Sequence, residues 1–132
     1  MKYSGRAFSY SVVESDAFLD LSYDVQVLYF HLVMNADDNG IIDNAVAVLR
    51  YLNMEKTALT RLVGSGFLLT FPDGLYVVKH WKQHCEDIET EYVESRYKNV
   101  LDSLRIDSRS GTYQVKQTEQ KQYKQYEPVP LF

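Results

Sequence analysis

Residues 41–78 read IIDNAVAVLRYLNMEKTALTRLVGSGFLLTFPDGLYVV. The stretch opens with two isoleucines and continues through two runs in which apolar residues recur at helical spacing. It closes with two β-rich runs separated by Pro72-Asp73-Gly74, a tight-turn sequence that is typical of a hairpin. The stretch therefore predicts a short strand, two helices and a β-hairpin over residues 67–81, in that order.

The two helices are bounded by capping signals. Asn44 is predicted to cap a helix over residues 45–52, because an asparagine side chain accepts a hydrogen bond from a free backbone N–H. Asn53 is assigned the same role for a helix over residues 54–65, which Gly64 and Gly66 would end. Their predicted buried residues are Ala45, Val48, Leu49 and Leu52 in the first helix, and Leu59, Leu62 and Val63 in the second.

Upstream, the strongest helical pattern covers residues 23–35. Ser22 is its predicted N-cap, and Asp24 lies in the first turn, where the helix dipole favours an anion. Its apolar stripe consists of Val25, Leu28, Tyr29, Leu32 and Val33. A short capped apolar turn over residues 15–19 precedes this helix, and a polar turn ending in Gly40 follows it.

Together these elements follow the order of a winged helix-turn-helix. The two helices after the short strand would form the helix-turn-helix, and the hairpin would form the wing. The predicted fold class is therefore α+β, mainly α.

Beyond residue 85 the pattern changes. Apolar residues keep a helical spacing up to about Ile106, which predicts a fourth helix. A turn is expected over residues 107–111, and the Gln-, Lys- and Tyr-rich stretch that follows is expected to be disordered. The chain is accordingly divided into a winged-helix domain at 1–84, a helical extension at 85–110 and a flexible polar tail at 111–132. The apolar tip at 129–132 weakly resembles clamp-docking peptides, but a frayed end is the preferred interpretation.

Composition limits the classes of function. The chain has 132 residues and a formal net charge of −4, and basic residues do not outnumber acidic ones in either half. Binding to nucleic acid through bulk charge is therefore not expected, although a local basic face is compatible with an acidic body. No apolar run is long enough to span a bilayer, and Cys85 is the single cysteine. These features suggest a protein of a reducing cytoplasm with no membrane partner.

A long run of residues resembles one known family. It begins at Arg6-Ala7-Phe8-Ser9, continues through residues 13–21 and 26–34 (VESDAFLDL and QVLYFHLVM), and includes Ala36-Asp37-Asp38-Asn39-Gly40. It resumes at Gly66-Phe67-Leu68 and over residues 77–84 (VVKHWKQH). Together these segments resemble the N-terminal domain of phage replisome organisers, the DnaD-like replication-initiation proteins. The resemblance implies a phage or prophage protein in the cytoplasm of a bacterial host. It would bind duplex or single-stranded DNA, help to recruit a host helicase loader or another replication protein, and self-associate, as a dimer for example.

In winged helices the third helix usually enters the major groove. Lys56 and Arg61 are the predicted phosphate contacts on its outward face, and Thr57 and Thr60 the predicted contacts to base edges or phosphates. Three further phosphate candidates are Arg50, Lys79 and Lys82. Asp73 at the wing tip argues against a wing that clasps DNA.

Metal and catalytic sites are not predicted. His80, Trp81 and His84 lie close in sequence, but Cys85 is adjacent to His84 rather than spaced as a third metal ligand. Trp81 is expected to close the core with the histidines packed around it, and His31 to be a structural histidine. The chain has no nucleophile elbow, phosphate-binding glycine loop or paired cysteine motif. We therefore expect neither an enzyme nor a cofactor.

Two other functions remain open at this stage. One is a protein-interaction module or inhibitor, in which the acidic segment around residues 86–94 docks on a host protein that acts on nucleic acid. The other is a phage transcriptional repressor, which would use the same fold to bind a specific duplex.

Overall fold

The computed structural model describes residues 5–85 and 96–116. The helices in this part are α1 (Tyr10–Val13), α2 (Asp16–Leu19), α3 (Tyr23–Asn35), α4 (Ala45–Leu52), α5 (Thr57–Gly64), α6 (Trp81–His84) and α7 (Lys98–Asp102). The strands are β1 (Ile41–Ile42), β2 (Leu68–Phe71), β3 (Leu75–Val78), β4 (Leu104–Ile106) and β5 (Tyr113–Val115). The protein has a mixed α+β fold, in agreement with the predicted class. None of the described helices is long and apolar enough to cross a membrane.

Helix α3 is the centre of the core and has the predicted bounds. All five residues of its predicted stripe are buried, and the helix packs against α4 and α5. Burying an aliphatic or aromatic side chain contributes about 1.5–3 kcal/mol, so this stripe is a major source of stability.

The predicted serine caps differ in outcome. Ser22 occupies the N-cap position of α3, but its hydroxyl donates to the Asp24 carboxylate and accepts no hydrogen bond from a backbone N–H of the described residues. Ser15 caps α2 as predicted, because its Oγ accepts a hydrogen bond from the Phe18 amide at 3.2 Å.

A three-stranded antiparallel sheet in the order β1-β3-β2 covers one end of this core. In the register Ile41 and Leu69 both lie opposite Val77, and Leu68 lies opposite Val78. The predicted hairpin is confirmed, with Pro72–Gly74 as its turn. Its second strand ends at Val78, however, and not at Trp81 as predicted. The Lys79 amide still donates to the Phe67 carbonyl at 3.2 Å, but residues 79–80 form a turn and Trp81 begins α6.

The connection between α4 and α5 differs from the prediction. Asn53 is not the N-cap of α5: it has a left-handed backbone (φ 61°, ψ 46°) and ends α4. The Met54 amide bonds to the Leu49 carbonyl at 2.9 Å, which closes the last turn of α4. Helix α5 therefore begins at Thr57, three residues later than predicted. Asn44 stands at the N-cap of α4 without capping it. Its Nδ2 donates to Asn35 Oδ1, and its own Oδ1 accepts no hydrogen bond from the described residues.

The fourth predicted helix is wrong at its C-terminal end. Residues 98–102 are helical, but Leu104–Ile106 form strand β4 and pair with β5 across the predicted turn at 107–111. Residues 86–95 of that predicted helix and residues 117–132 of the predicted tail lie outside the described residues. The first residues of the predicted flexible tail belong to β5, where Tyr113 is 3% exposed.

The β4–β5 hairpin packs against the first 84 residues. The Tyr113 amide donates to the Lys79 carbonyl at 2.9 Å, and its hydroxyl donates to the Asn39 carbonyl at 2.9 Å. Leu104 is buried in the same apolar core as α3. These contacts cross the predicted boundary at residue 84.

Candidate nucleic-acid interface

Helix α5 separates an apolar face from a polar one. Ala58, Leu59 and Leu62 are buried, and Leu59 and Leu62 pack in the core at most 1% exposed. The opposite face consists of exposed residues, which are Lys56, Thr57, Thr60 and Arg61. Four of the predicted contact residues therefore share one solvent-exposed face.

The basic residues near this face carry uncompensated charge. Arg50 is exposed in the last turn of α4, the helix that precedes α5. In the described part of the chain, no carboxylate forms an ion pair with Arg50, Lys56 or Arg61. Their charges are therefore available to a negatively charged ligand.

A cleft of about 350 Å³ lies between the N-terminal ends of α3 and α5. Asp24 and Glu55 both line it, together with Arg61. The Ser22 hydroxyl, 2.5 Å from Asp24 Oδ1, lowers the pKa of Asp24 below its usual value, so this carboxylate is ionised at neutral pH. Two anionic side chains disfavour a phosphate inside the cleft, so a phosphate would contact Arg61 and Lys56 from outside it. The complete lining is Ser22, Asp24, Val25, Asn53, Met54, Glu55, Thr57, Ala58 and Arg61.

The β2–β3 hairpin adds no positive charge to this surface. Residues 67–78 contain no lysine or arginine, and Asp73 is exposed at the turn. Asp73 has a left-handed backbone with φ 65°, a conformation that aspartate tolerates better than most residues. The tip of the hairpin would therefore repel a phosphate backbone.

The structure places Lys79 and Lys82 with a different element. The carbonyl of Lys79 accepts the Tyr113 amide, and Lys82 Nζ lies 6.0 Å from the centre of the Tyr113 ring. Both lysines are thus neighbours of β5, a strand that is not predicted from the sequence. Arg105, Arg109 and Lys116 are likewise not among the predicted contacts, because the sequence pattern places them in a helix, a turn and a tail. Their signal in the sequence was the predominance of basic over acidic residues between 103 and 116.

The aromatic and histidine cluster at α6 is part of the core. Trp81 is 3% exposed, and its indole N–H donates to the Asp38 carbonyl at 3.2 Å. His84 Nδ1 accepts the Ser9 amide at 2.9 Å, and Nε2 lies 2.7 Å from Tyr29 Oη. The predicted packing roles of Trp81 and His84 are confirmed. His80 packs on Phe67 with ring centres 5.6 Å apart, and burial lowers its pKa.

Cys85 and His31 are partly buried packing residues. Burial raises the pKa of the Cys85 thiol, which keeps it in the less reactive neutral form. His31 is partly buried on α3 and contacts the Tyr51 ring with centres 5.8 Å apart. Residues 5–85 and 96–116 contain no group of three or more metal-ligating side chains.

No protein-family model, no curated protein and no solved structure matches this chain.

Proposed function

We propose that the protein is a phage or prophage replication-initiation protein that binds DNA through a winged helix-turn-helix. The element order from α3 to β3 and the sheet order β1-β3-β2 support the winged-helix assignment. The observation that carries the function is the exposed face of α5, on which two threonines lie beside two basic residues without a carboxylate partner among the described residues.

In this proposal α5 is the helix that enters the major groove. Thr57 and Thr60 offer hydroxyls to base edges or phosphates, while Lys56 and Arg61 neutralise phosphates. Arg50 at the end of α4 adds a phosphate contact beside the groove. The acidic tip of the β2–β3 hairpin stays away from the backbone, so affinity depends on the helices and not on the wing.

Recruitment of a host helicase loader and location in the host cytoplasm are further parts of the proposal, and both come from the family resemblance. Self-association, also implied by the resemblance, has physical support in α3. The outward side of this helix exposes Tyr23, Val27 and Met34, at 84%, 45% and 47% of their surfaces. Their spacing places them on one face, and a helix that is apolar on opposite faces is usually covered on both. A second copy of the chain, with the same face, would cover it.

Binding of fluorescent duplex and single-stranded DNA across a salt series tests the proposal. Affinity should fall with salt by a slope of about −0.9 per phosphate contact on duplex. Lys56→Ala combined with Arg61→Ala should weaken binding and reduce the slope by about 2. Lys98→Ala is the control for lysine removal, because Lys98 pairs with Asp102 within α7 at 3.2 Å. No binding at low salt, or an unchanged double variant, would refute the proposed face.

A protein-interaction module is the second candidate. Residues 5–78 contain nine acidic and only four basic residues. Two of the acidic residues, Asp24 and Glu55, lie beside the proposed DNA-binding face. With this function, the protein should capture a host enzyme that acts on nucleic acid, and it should not bind DNA itself.

A further inference from the structure

Charge is unevenly distributed in the described structure. Residues 5–78 carry nine acidic and four basic side chains, a net charge of −5. Residues 79–85 and 103–116, which form α6, β4 and β5 with their flanks, carry five basic side chains and one acidic one. The net charge of these two segments is therefore +4, on a chain whose total is −4.

Tertiary contacts bring the two basic segments together. The Tyr113 amide bonds to the Lys79 carbonyl at 2.9 Å, and Lys82 lies over the Tyr113 ring. In addition, Gln83 Nε2 donates to the Ser110 carbonyl at 2.9 Å, in the turn between β4 and β5. The lysines of the first segment thus lie beside the hairpin formed by the second.

Strand alternation directs the basic residues of the hairpin to solvent. Leu104 and Tyr113 point into the core, so Arg105 and Gln114, which lie opposite each other, point outward. Arg105 donates to Gln114 Oε1 at 2.7 Å. Lys116 follows Gln114 by two positions and shares its face, while Arg109 is exposed in the turn. Lys82 and the half-buried Lys79 lie beside Tyr113, at the edge and inward side of the same hairpin. We call Lys79, Lys82, Arg105, Arg109 and Lys116 together the hairpin cationic surface.

The positive charge of this surface exceeds the negative charge of its own segments, five basic residues to one acidic residue. None of its five basic side chains forms an ion pair with a carboxylate in residues 5–85 and 96–116. The one acidic residue of these segments, Asp107, accepts hydrogen bonds from the Ser110 amide and hydroxyl at 2.9 and 2.7 Å. These bonds, and to a smaller extent the charge of Arg105, lower the pKa of Asp107. The face of α5, by contrast, has two basic residues beside Asp24 and Glu55. We therefore expect phosphate attraction to be stronger at the hairpin than at α5, even when Arg50 is counted with α5.

The surface also indicates the kind of contact. No aromatic side chain of its described elements is among the strongly exposed apolar residues, so it has no platform for stacking unpaired bases. Its basic side chains end in ammonium and guanidinium donors, which match phosphate oxygens, and Ile106 of β4 is exposed beside them.

We propose that the hairpin cationic surface binds the phosphate backbone of duplex DNA, separately from α5. The inference rests on the proposed DNA-binding function and extends it. Helix α5 supplies contacts inside the groove, and the hairpin supplies contacts that do not depend on sequence. Most of the salt dependence of binding then originates at the hairpin.

Two matched triple variants of the full chain test this. Arg105→Gln, Arg109→Gln and Lys116→Gln remove three charges from the hairpin, and Arg50→Gln, Lys56→Gln and Arg61→Gln remove three near α5. Duplex affinity is measured by fluorescence anisotropy between about 50 and 200 mM salt, after urea unfolding has shown that both variants are folded. The hairpin triple should bind about tenfold or more weakly at the lowest salt. It should also have a salt slope shallower by about 2 to 3, since each lost contact removes about 0.9.

The outcomes separate this inference from the function on which it rests. If the hairpin triple matches wild type while the α5 triple loses binding, the hairpin inference is wrong and the proposed function stands. If the α5 triple binds like wild type while the hairpin triple does not, the inference stands and the α5 face is wrong. If wild type binds no duplex, both are wrong. Binding of polyglutamate in place of DNA, lost in the hairpin triple, would assign the surface to an acidic protein and overturn the proposal.

Discussion

The hydroxyl oxygen of Tyr29 and Nε2 of His84 lie 2.7 Å apart in the core, although 55 residues separate them in sequence. His84 Nδ1 accepts the Ser9 amide, so this nitrogen carries no proton. The neutral ring therefore has its proton on Nε2 and donates it to Tyr29 Oη. This chain of two hydrogen bonds joins the segment before α1, helix α3 and helix α6.

Tyr29→Phe should destabilise the protein by about 1–3 kcal/mol. The substitution removes the acceptor of the His84 N–H and leaves that donor buried without a partner. The free energy of unfolding in urea measures the loss. Tyr51→Phe is the control, because Tyr51 is 60% exposed. Its hydroxyl makes only long contacts, 3.3 and 3.4 Å, to Asn35 and His31, and water can replace it there, so a change within about 0.5 kcal/mol is expected. Equal effects of the two substitutions would contradict the role of Tyr29.

Stability should decrease as the pH falls from about 6.5 to about 4. Burial, with a smaller effect from His80, lowers the pKa of His84 from 6.5 to about 4. The unfolded chain therefore binds a proton in this range that the folded protein does not, and folding becomes less favourable. A shift of one pKa unit corresponds to about 1.4 kcal/mol. The free energy of unfolding should therefore fall by about 3 kcal/mol by the pH at which His84 is protonated in the folded protein as well.

His84→Gln tests this pH dependence, with His31→Gln as the control. In His84→Gln the free energy of unfolding should fall less between pH 7 and pH 4.5 than it does in wild type. His80, whose pKa burial also lowers, adds a share that remains in the variant. His31→Gln should retain the wild-type pH dependence of stability. A flat profile in His31→Gln would show that the dependence comes from His31 and not from His84.

Gly40→Ala should be more destabilising than Gly66→Ala. Both glycines have a positive φ, 88° and 86°, so an alanine pays a similar backbone cost at either position. A Cβ at Gly40 would lie 2.7 Å from Trp81 Cγ, whereas a Cβ at Gly66 would have no heavy atom within 4 Å. Forced overpacking of this kind costs about 1–3 kcal/mol. Urea unfolding of both variants gives the difference, and equal losses would mean that Trp81 moves aside freely.

Glu55→Gln should raise duplex affinity severalfold, whereas Asp73→Asn should leave it unchanged. Glu55 is exposed beside Lys56 and lines the cleft with Arg61, so its charge opposes phosphate at the α5 face. Asp73 lies at the tip of the β2–β3 hairpin, which does not contact DNA in the proposed binding mode. Asparagine tolerates the positive φ of this position. Anisotropy at low salt measures both. A gain from Asp73→Asn equal to that from Glu55→Gln would show that the hairpin tip approaches DNA.

The face of α5 was predictable because it depends on a local period. The spacing of Leu59 and Leu62 fixes which side of the helix is buried, and Lys56, Thr57, Thr60 and Arg61 then lie on the other. The start of α5 was not predictable in the same way. An asparagine after one helix and before another fits both an N-cap and a left-handed C-cap, and the bond from Met54 to Leu49 selects the second.

The hairpin cationic surface was not predictable from sequence, because its assembly depends on strand pairing. The apolar spacing that includes Leu101 and Leu104 fits a helix as well as a helix followed by a strand. Residues 104–106 form a strand because they pair with β5. Tyr113 holds β5 in place through hydrogen bonds to the Lys79 and Asn39 carbonyls, more than 30 residues earlier. No local pattern encodes such a partner.

The sequence by itself determined the order of elements from α3 to β3, since helical periodicity, strand runs and turn residues act over a few positions. Only the tertiary structure decided where His84 donates and accepts its hydrogen bonds, that Trp81 begins a helix, and that Lys79 and Lys82 join the basic residues of β4 and β5. The physical reason is that each of these outcomes depends on a partner far away in the chain, and burial of the shared core brings the partners together.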